Sequence, residues 1–459
     1  MNRTLQDAAR ATGGRLIGAD GPFAAVSTDS RSLSAGALFV ALHGPNFDGA
    51  DFVAAAAAAG AVGAIVDRPV ADPLPQIVVA DTLLALQALA AAWRRNFELP
   101  IVAVAGSNGK TTTKEMVAAI LSRIGPCMST RGNLNNHIGV PLTLLRLDSA
   151  HRSAVVEIGA NRRGDVAALM PLVRPSAGLI TNAGAEHLEG FGDLDGVAAG
   201  EGETIAGLAP EATAVINADD AYADYWAGLA GARRVVRFGI RSAADFVAKG
   251  AAQSIERGEF VIRFTLVCPL GESPILVRAG GIHNVMNAVA AAAAAAAAGA
   301  ALADIAAGLA DFRTVAGRLQ LKAGPRNSWI IDDSYNANPS SVRAGLDVLA
   351  AQAGTKWLVF ADMGELGASS DASHAEIGAY ARARGVARLF GFGPLATRAV
   401  ETFGGGGEWF ADIDALNRRL LAEMTPGVTV LVKGSRVNRL ERVVAALTAG
   451  ASNRAAKAS

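Results

Sequence analysis

Residues 101–113, IVAVAGSNGKTTT, run an unbroken apolar stretch into a glycine-bearing turn, then into a lysine and three threonines. Five apolar residues bounded in this way fit a buried strand of a parallel sheet. Met116, Val117, Ile120, Leu121 and Ile124 then recur on one face at helical spacing, so an amphipathic helix follows the turn. Strand, tight turn and helix in that order leave a helix N-terminus open, where backbone N–H groups and the helix dipole favour an anion. The turn reads as a nucleotide triphosphate site. Gly106, Ser107, Asn108 and Gly109 form the cradle, Lys110 neutralises the outer phosphates, Thr111 can hold Mg²⁺, and Thr112 follows on the first helical turn. The usual spacing G-x-x-x-x-G-K-S/T would want glycine at position 104, and the chain has Val104, so the loop is a shortened G-x-x-G-K-T.

At 459 residues and 51% apolar content the chain can build about three domains. Its 42 basic and 42 acidic residues cancel, which gives no electrostatic footprint for nucleic acid or an anionic membrane. Cys127 and Cys268 are far apart and outside any Cys/His cluster, so neither a disulfide framework nor a zinc site is supported, and a reducing cytoplasm fits. The start, MNRTLQDAARATGG, lacks the apolar run of a secretory signal, and the alanine tracts at 54–59 and 290–298 are too short to span a bilayer. Alanine has the best helix propensity, so both tracts are expected as close-packed helices. The final ASNRAAKAS is expected to fray.

Along the chain, ALFVAL and AVGAIV read as strands, the first alanine tract as a helix, and residues 81–97 as a longer helix. Leu99-Pro100 marks a boundary, because the residue before proline is pushed out of helical geometry. Strands at 154–160, 178–184 and 213–220 alternate with helices, which argues a mostly parallel sheet covered on both faces. EFVIRFTLV and PILVRAG alternate in the hairpin manner before GIHNVMNA returns to helix. A third α/β set follows Phe312, with strands WIIDDSY, WLVFADM, RLFGFG and VTVLVKGSR and helices opening near Pro339, Ser373, Pro394 and Asp412. Asn338-Pro339 combines a cap with a proline in the first turn. The fold class is α/β in three domains, 1–99, 100–312 and 313–459. Sites in open parallel sheets lie outside the carboxyl ends of the strands. There the sequence puts Glu157, Glu186-His187 and Asp332-Asp333. Each alone fits a cap or a solvated turn; together, after a phosphate loop, they point to metal binding.

The chain resembles the Mur ligases over nearly its whole length. Eleven collinear strings carry the resemblance: STDSR, ALFVALHGPNFDGADF, GSNGKTTTKEM, GNLNNHIGVPLTLL, EIGANRRGD, EHLEGFG, HNVMNA, GRLQ, DDSYNANPSS, DMGELG and LVKGSR. DDSYNANP and GNLNNHIGVP single out the member that adds a dipeptide, and the DNPR-like motif of a sibling is absent. The resemblance implies an N-terminal α/β substrate domain, a central phosphate-loop ATPase domain with a parallel sheet, and a C-terminal Rossmann-like domain. It implies an ATP- and Mg²⁺-dependent ligase that joins D-Ala-D-Ala to a UDP-N-acetylmuramoyl tripeptide through an acyl phosphate, as a cytoplasmic monomer with no nucleic-acid partner and no membrane insertion.

Carried over by position, the resemblance implies that Ser30 and Arg31, with Phe47, Asp48 and Gly49, seat the nucleotide-sugar substrate, and that Asn135 and Asn136 join them. Lys110, Glu157, His187 and Arg318 are the expected catalytic group, with Arg318 reaching the terminal phosphate. Thr111 would hold one Mg²⁺, and Glu157 and His187 a second. His283, Asn284 and Asn287 would sit by adenine, Asp333 would accept from the ribose, and Asn336, Lys433, Ser435 and Arg436 would line the dipeptide side. One position departs from the pattern. Glu201 stands where most of the family carries a lysine carbamylated by CO₂. A glutamate brings a negative oxygen pair without modification, although its carboxyl stops about three bonds short, roughly 3 to 4 Å. It is expected either as a built-in substitute at the second metal or as a solvated helix residue. Competing readings are a folylpolyglutamate-type or sibling ligase, and a phosphate-loop ATPase that forms no amide.

Overall fold

The computed structural model describes residues 3–449. The terminal segment ASNRAAKAS lies outside them. Three sheets, each in its own stretch of chain, organise the fold.

The first has five strands in the order Arg15–Ile17, Gln76–Val78, Gly63–Val66, Ala37–Val40 and Ala25–Ser27, parallel except at the Arg15–Ile17 edge. The first alanine tract forms the helix Val53–Ala58 beside it. The helix Thr82–Arg94 starts where Asp81 accepts from Leu83 N and Leu84 N, the capping that satisfies two free helix donors. Its Leu86, Leu89 and Ala90 share one core with Val166 and Leu169 of the next unit, which fixes the first sheet against the second.

The second sheet has nine strands, ordered Cys127–Ser129, Ser153–Glu157, Ile101–Ala105, Ala177–Ile180, Thr213–Asn217, Arg234–Gly239, Phe246–Glu256, Glu259–Cys268 and Gly271–Val277. It is parallel through Phe246 and antiparallel over its last three strands. From Ile101–Ala105 the chain first fills one side of the sheet and then the other, so the crevice at the carboxyl end of that strand is a switch point where ligands bind. Glu157 and Thr181 close the neighbouring strands on either side of it.

One face is covered by Lys110–Leu121, Ile282–Ala297 and Leu302–Asp311. Met116, Val117, Ile120 and Leu121 are buried as the spacing predicts. Ile124 is not: the helix ends at Leu121, and Ile124, past it, is 51% exposed. Gly308 lets the third helix touch the first at backbone distance, since a Cβ there would meet Ile120 Cα.

The third sheet runs Gln320–Ala323, Trp329–Asp333, Val428–Lys433, Thr355–Ala361, Arg388–Phe392 and Gly407–Phe410, parallel except for the first strand. Helices open at Pro339, Ser370, Ala396 and Ile413. The first has the full capping box, with Asn338 Oδ1 accepting from Ser341 N and Ser341 Oγ accepting from Asn338 N. Among the described residues no helix is long and apolar enough to cross a membrane.

Candidate active site

Gly106 (φ +115°) and Gly109 (φ +83°) bend the loop that follows Ile101–Ala105 into a cup. At Gly106 a Cβ would lie 2.7 Å from Thr181 N, so both conformation and space demand glycine. The cup is held from beneath by the neighbouring strand end. Ser107 N donates to Asn182 O (2.9 Å), Asn108 N donates to Asn182 Oδ1 (3.0 Å), and Asn108 O accepts from Thr181 Oγ1 (2.7 Å).

Lys110 Nζ folds across the cup onto Gly106 O (2.5 Å), Ser107 O (3.1 Å) and Glu186 Oε1 (3.1 Å). Burial pulls its pKa down, but the carboxylates of Glu186, Glu201 and Glu157 outweigh that and raise it, so it is a cation at neutral pH. The ammonium is thus kept charged in a place where polyphosphate oxygens can replace carbonyls as its partners.

Glu157 is 2% exposed at its strand end, held by its own N–H donating to Thr130 Oγ1 (2.9 Å). Its Oε1 accepts from Asn135 Nδ2 (2.9 Å) and from Thr111 Oγ1 (3.3 Å), while its Oε2 is buried without a hydrogen-bond partner. An orphaned carboxylate oxygen beside a threonine hydroxyl is the hard oxygen donor set that Mg²⁺ takes, so these residues fit that ion.

The other residues expected at a second metal stand apart. Among the described residues there is no group of three or more His, Cys, Asp or Glu arranged to hold a metal. His187, in the left-handed region at φ +50°, directs Nδ1 to Glu365 Oε2 of the third unit at 2.5 Å. Glu201 is 1% exposed and accepts from Gly106 N (2.7 Å), so it is not a solvated helix residue. Burial pushes its carboxyl up to about 7, against the opposing pull of Lys110.

The third unit meets the cup directly. Asn338 Nδ2 donates to Asn108 Oδ1 (2.8 Å), and Asn108 Nδ2 donates to Ser340 Oγ (3.1 Å). Arg318 stacks on Tyr335 with its guanidinium carbon 4.3 Å from the ring centre, and Arg436 lies 5.6 Å from the same ring. Behind them Lys433, 2% exposed, donates to Asp333 Oδ2 (2.6 Å) and Asn336 O (2.9 Å). Burial lowers the Lys433 pKa while Asp333 resists. Ser435 Oγ stands 3.5 Å from Asn336 Oδ1.

His283, Asn284 and Asn287 open the helix Ile282–Ala297. Asn287 Nδ2 donates to Asn284 Oδ1 (2.9 Å), and Asn287 backs onto Gly109. Burial lowers the His283 pKa and keeps it neutral.

In the first unit, Asp48 caps a turn through Ala50 N (2.9 Å) and pairs with Arg68, and Gly49 packs so close to the Leu42 backbone that no side chain fits. Phe47 is 54% exposed and meets Phe52 edge-on, with ring centres 6.4 Å apart. Arg31 pairs with Asp29 (2.8 Å), beside Ser30, at the surface. Asn135 and Asn136 divide their work: Asn135 reaches Glu157, whereas Asn136 Oδ1 accepts from Gly139 N (2.9 Å) and starts the helix Gly139–Leu144.

A phosphate cup on a parallel sheet, touched by a third unit and packed against a first, defines a multidomain nucleotide-dependent enzyme. The family profiles agree with that class: the Mur ligase family catalytic domain matches residues 22–120, the Mur ligase middle domain residues 104–295, and the Mur ligase glutamate ligase domain residues 317–436. The chain belongs to the Mur ligase family, whose members are ATP-dependent amide ligases. It is 45% identical over 448 residues to UDP-N-acetylmuramoyl-tripeptide–D-alanyl-D-alanine ligase of Escherichia coli K12, covering 97% of this chain and 98% of that protein. Its fold matches MurF of Acinetobacter baumannii with a TM-score of 0.91 at 35% identity, over 98% and 99% of the two chains. It also matches MurF ligase of Thermotoga maritima in complex with ADP, with a TM-score of 0.81 at 27% identity over 94% and 98%.

Proposed function

We infer that the protein joins D-alanyl-D-alanine to UDP-N-acetylmuramoyl-tripeptide at the expense of ATP, forming the pentapeptide precursor of peptidoglycan through an acyl phosphate. The observation that carries this is end-to-end correspondence with a ligase of that activity, 97% of one chain on 98% of the other, which leaves none of the three sheets without a counterpart.

The geometry supports a division of labour. A carboxylate is a poor acylating agent, and its charge repels ATP phosphates, so the site must screen negative charge. Lys110 exchanges its carbonyl partners for phosphate oxygens, while the N–H groups of Gly106, Ser107 and Asn108 brace the loop by donating to Glu201 and Asn182. Thr111 and Glu157 would hold Mg²⁺, which supplies further charge neutralisation when bound. His187 is free for a cation only after leaving Glu365, and Glu201 serves as the anchor of Gly106 as well as a negative neighbour of Lys110. His283, Asn284 and Asn287 take the adenine side, Asp333 the ribose, and Arg318 the terminal phosphate. Asn336, Lys433, Ser435 and Arg436 face the incoming dipeptide, whose amine attacks the activated carbonyl. Ser30, Arg31, Phe47, Asp48 and Gly49 with Asn135 and Asn136 seat the nucleotide-sugar end. Residues 1–99, 100–312 and 313–459 then correspond to nucleotide-sugar, ATP and dipeptide units, working as a cytoplasmic monomer.

Mass analysis of the product and a phosphate-release assay test the reading together. ADP and phosphate should appear only with ATP, the muramoyl tripeptide and D-Ala-D-Ala all present. Release without the dipeptide and without a lengthened product would make the protein an ATPase.

A further inference from the structure

Two loops leave neighbouring strands of the third sheet side by side, 362–365 after Thr355–Ala361 and 434–438 after Val428–Lys433. One peptide group joins them. Its carbonyl, that of Asp362, accepts from Ser435 N (3.0 Å) and Asn438 Nδ2 (2.8 Å). Its N–H, that of Met363, points the other way and donates to Nε2 of His374 (2.9 Å). A peptide group is planar, so its two ends turn together, and whatever fixes the N–H also aims the carbonyl. His374 is 0% exposed on the helix Ser370–Ala383, with its ring 5.7 Å from that of Phe360. Its Nδ1 lies 2.7 Å from Ser370 O. A carbonyl only accepts, so the ring proton sits on Nδ1, and Nε2 keeps the lone pair that the Met363 N–H needs.

We propose that His374 is a positioning residue for the incoming dipeptide: through the peptide between Asp362 and Met363 it holds the 434–438 turn, and with it Ser435 and Arg436, in place to receive D-Ala-D-Ala. The proposal rests on the ligase reading above, which gives that turn to the dipeptide, and adds to it a buried group that the reading leaves idle. Without an acceptor on His374, Met363 is left with a buried, unpaired N–H. Rotation of the peptide relieves that cost and withdraws the carbonyl from Ser435 and Asn438. The turn has little else to lean on, since Asn438 returns only to Ser435 O within the turn itself (N at 3.0 Å, Nδ2 at 3.2 Å). None of these bonds reaches the phosphate loop, so the effect falls on the dipeptide side.

Two amide variants separate the halves of the imidazole. His374→Gln keeps an oxygen near Nε2 for the Met363 N–H, whereas His374→Asn keeps a donor near Nδ1 for Ser370 O and is too short for Met363. H374N should raise the KM for D-Ala-D-Ala about three- to tenfold, the span of one hydrogen bond, with kcat and the KM for ATP within about twofold of wild type. H374Q should recover most of that loss. Asn438→Ala removes a donor from the other end of the same peptide without touching the helix, and should raise the same KM. Hydrogen exchange read by mass spectrometry should show 434–438 opening faster in H374N than in H374Q, with Val428–Lys433 protected as in wild type. A wild-type dipeptide KM in H374N or N438A, or H374Q as impaired as H374N, would overturn the positioning role. So would an equal rise in the KM for ATP, which would mean that the loop acts through Glu365 and His187 instead. Wild-type protein that makes no pentapeptide would overturn the ligase reading, while the exchange of 434–438 still decides whether His374 holds the turn.

Discussion

Glu201 Oε2 accepts the N–H of Gly106 at 2.7 Å, which joins the helix Leu194–Ala206 to the first residue of the phosphate loop. A fully buried carboxyl in that position holds its proton up to about 7, from an ordinary 4.5, chiefly because burial penalises the charge. The folded protein then keeps a proton that the unfolded chain has released. The associated stability is complete below about 4.5 and is lost as pH rises through about 7. Glu201→Gln retains an acceptor for Gly106 and removes the titration. Urea unfolding from pH 4.5 to 7 should show the variant gaining on the wild type by on the order of 3 kcal/mol, at 1.36 kcal/mol per unit, and no further above that range. Parallel curves would remove the proton from Glu201.

Lys110 faces three carboxylates and two loop carbonyls, so it is already desolvated and positioned before a phosphate arrives. Lys110→Ala should lower kcat by roughly 10²–10³, about 2.7–4 kcal/mol, as removal of one preorganised charge-stabilising donor does elsewhere. Phosphate release under saturating substrates measures it. A loss below about tenfold would assign the charge stabilisation to other groups.

Gly106 and Gly228 respond oppositely to the same substitution. Gly106→Ala imposes a side chain at φ +115° against Thr181, so it should destabilise by at least about 1–3 kcal/mol and weaken ADP binding with it. Gly228, inside the helix Ala223–Ala230 with nothing within 4 Å of a Cβ, should become more stable by about 0.5–1 kcal/mol as alanine. Thermal unfolding of the two variants side by side checks both signs.

Lys433 and Asp333 form a buried pair at 2.6 Å, with Asn336 O as the lysine's second partner. Lys433→Met leaves a carboxylate buried without its cation and should cost about 3–5 kcal/mol. Adding Asp333→Asn should recover most of it, as measured by denaturant midpoints. Failure of the second change to help would mean that Asp333 is satisfied without Lys433.

The phosphate loop was readable in the sequence because its physics is local: an apolar strand, two glycines and a helix start are adjacent in the chain. The same holds for Asn338-Pro339, where cap and proline stand side by side. The place of Glu157 at a strand end is legible in the sequence, and the structure adds its orphaned oxygen. Glu365, Asn182 and Thr181 carry no spacing signal, since each matters only through a partner far along the chain, as Glu365 does through His187. The strand Phe246–Glu256 was hidden for a different reason. Most of its side chains are exposed, and its ladder shifts register between Lys249 and Ala252, so the two-residue alternation that marks a half-buried strand is absent.

Alanines 290–295 are at most 1% exposed in the middle of a helix whose first turns carry His283, Asn284 and Asn287 up to Gly109. Side-chain bulk there works as a spacer of fixed thickness between helix and sheet. One methyl per residue sets how far this helix stands from the sheet, so a leucine at position 291 would push the helix outward and shift Asn287 relative to Gly109 of the loop it backs onto.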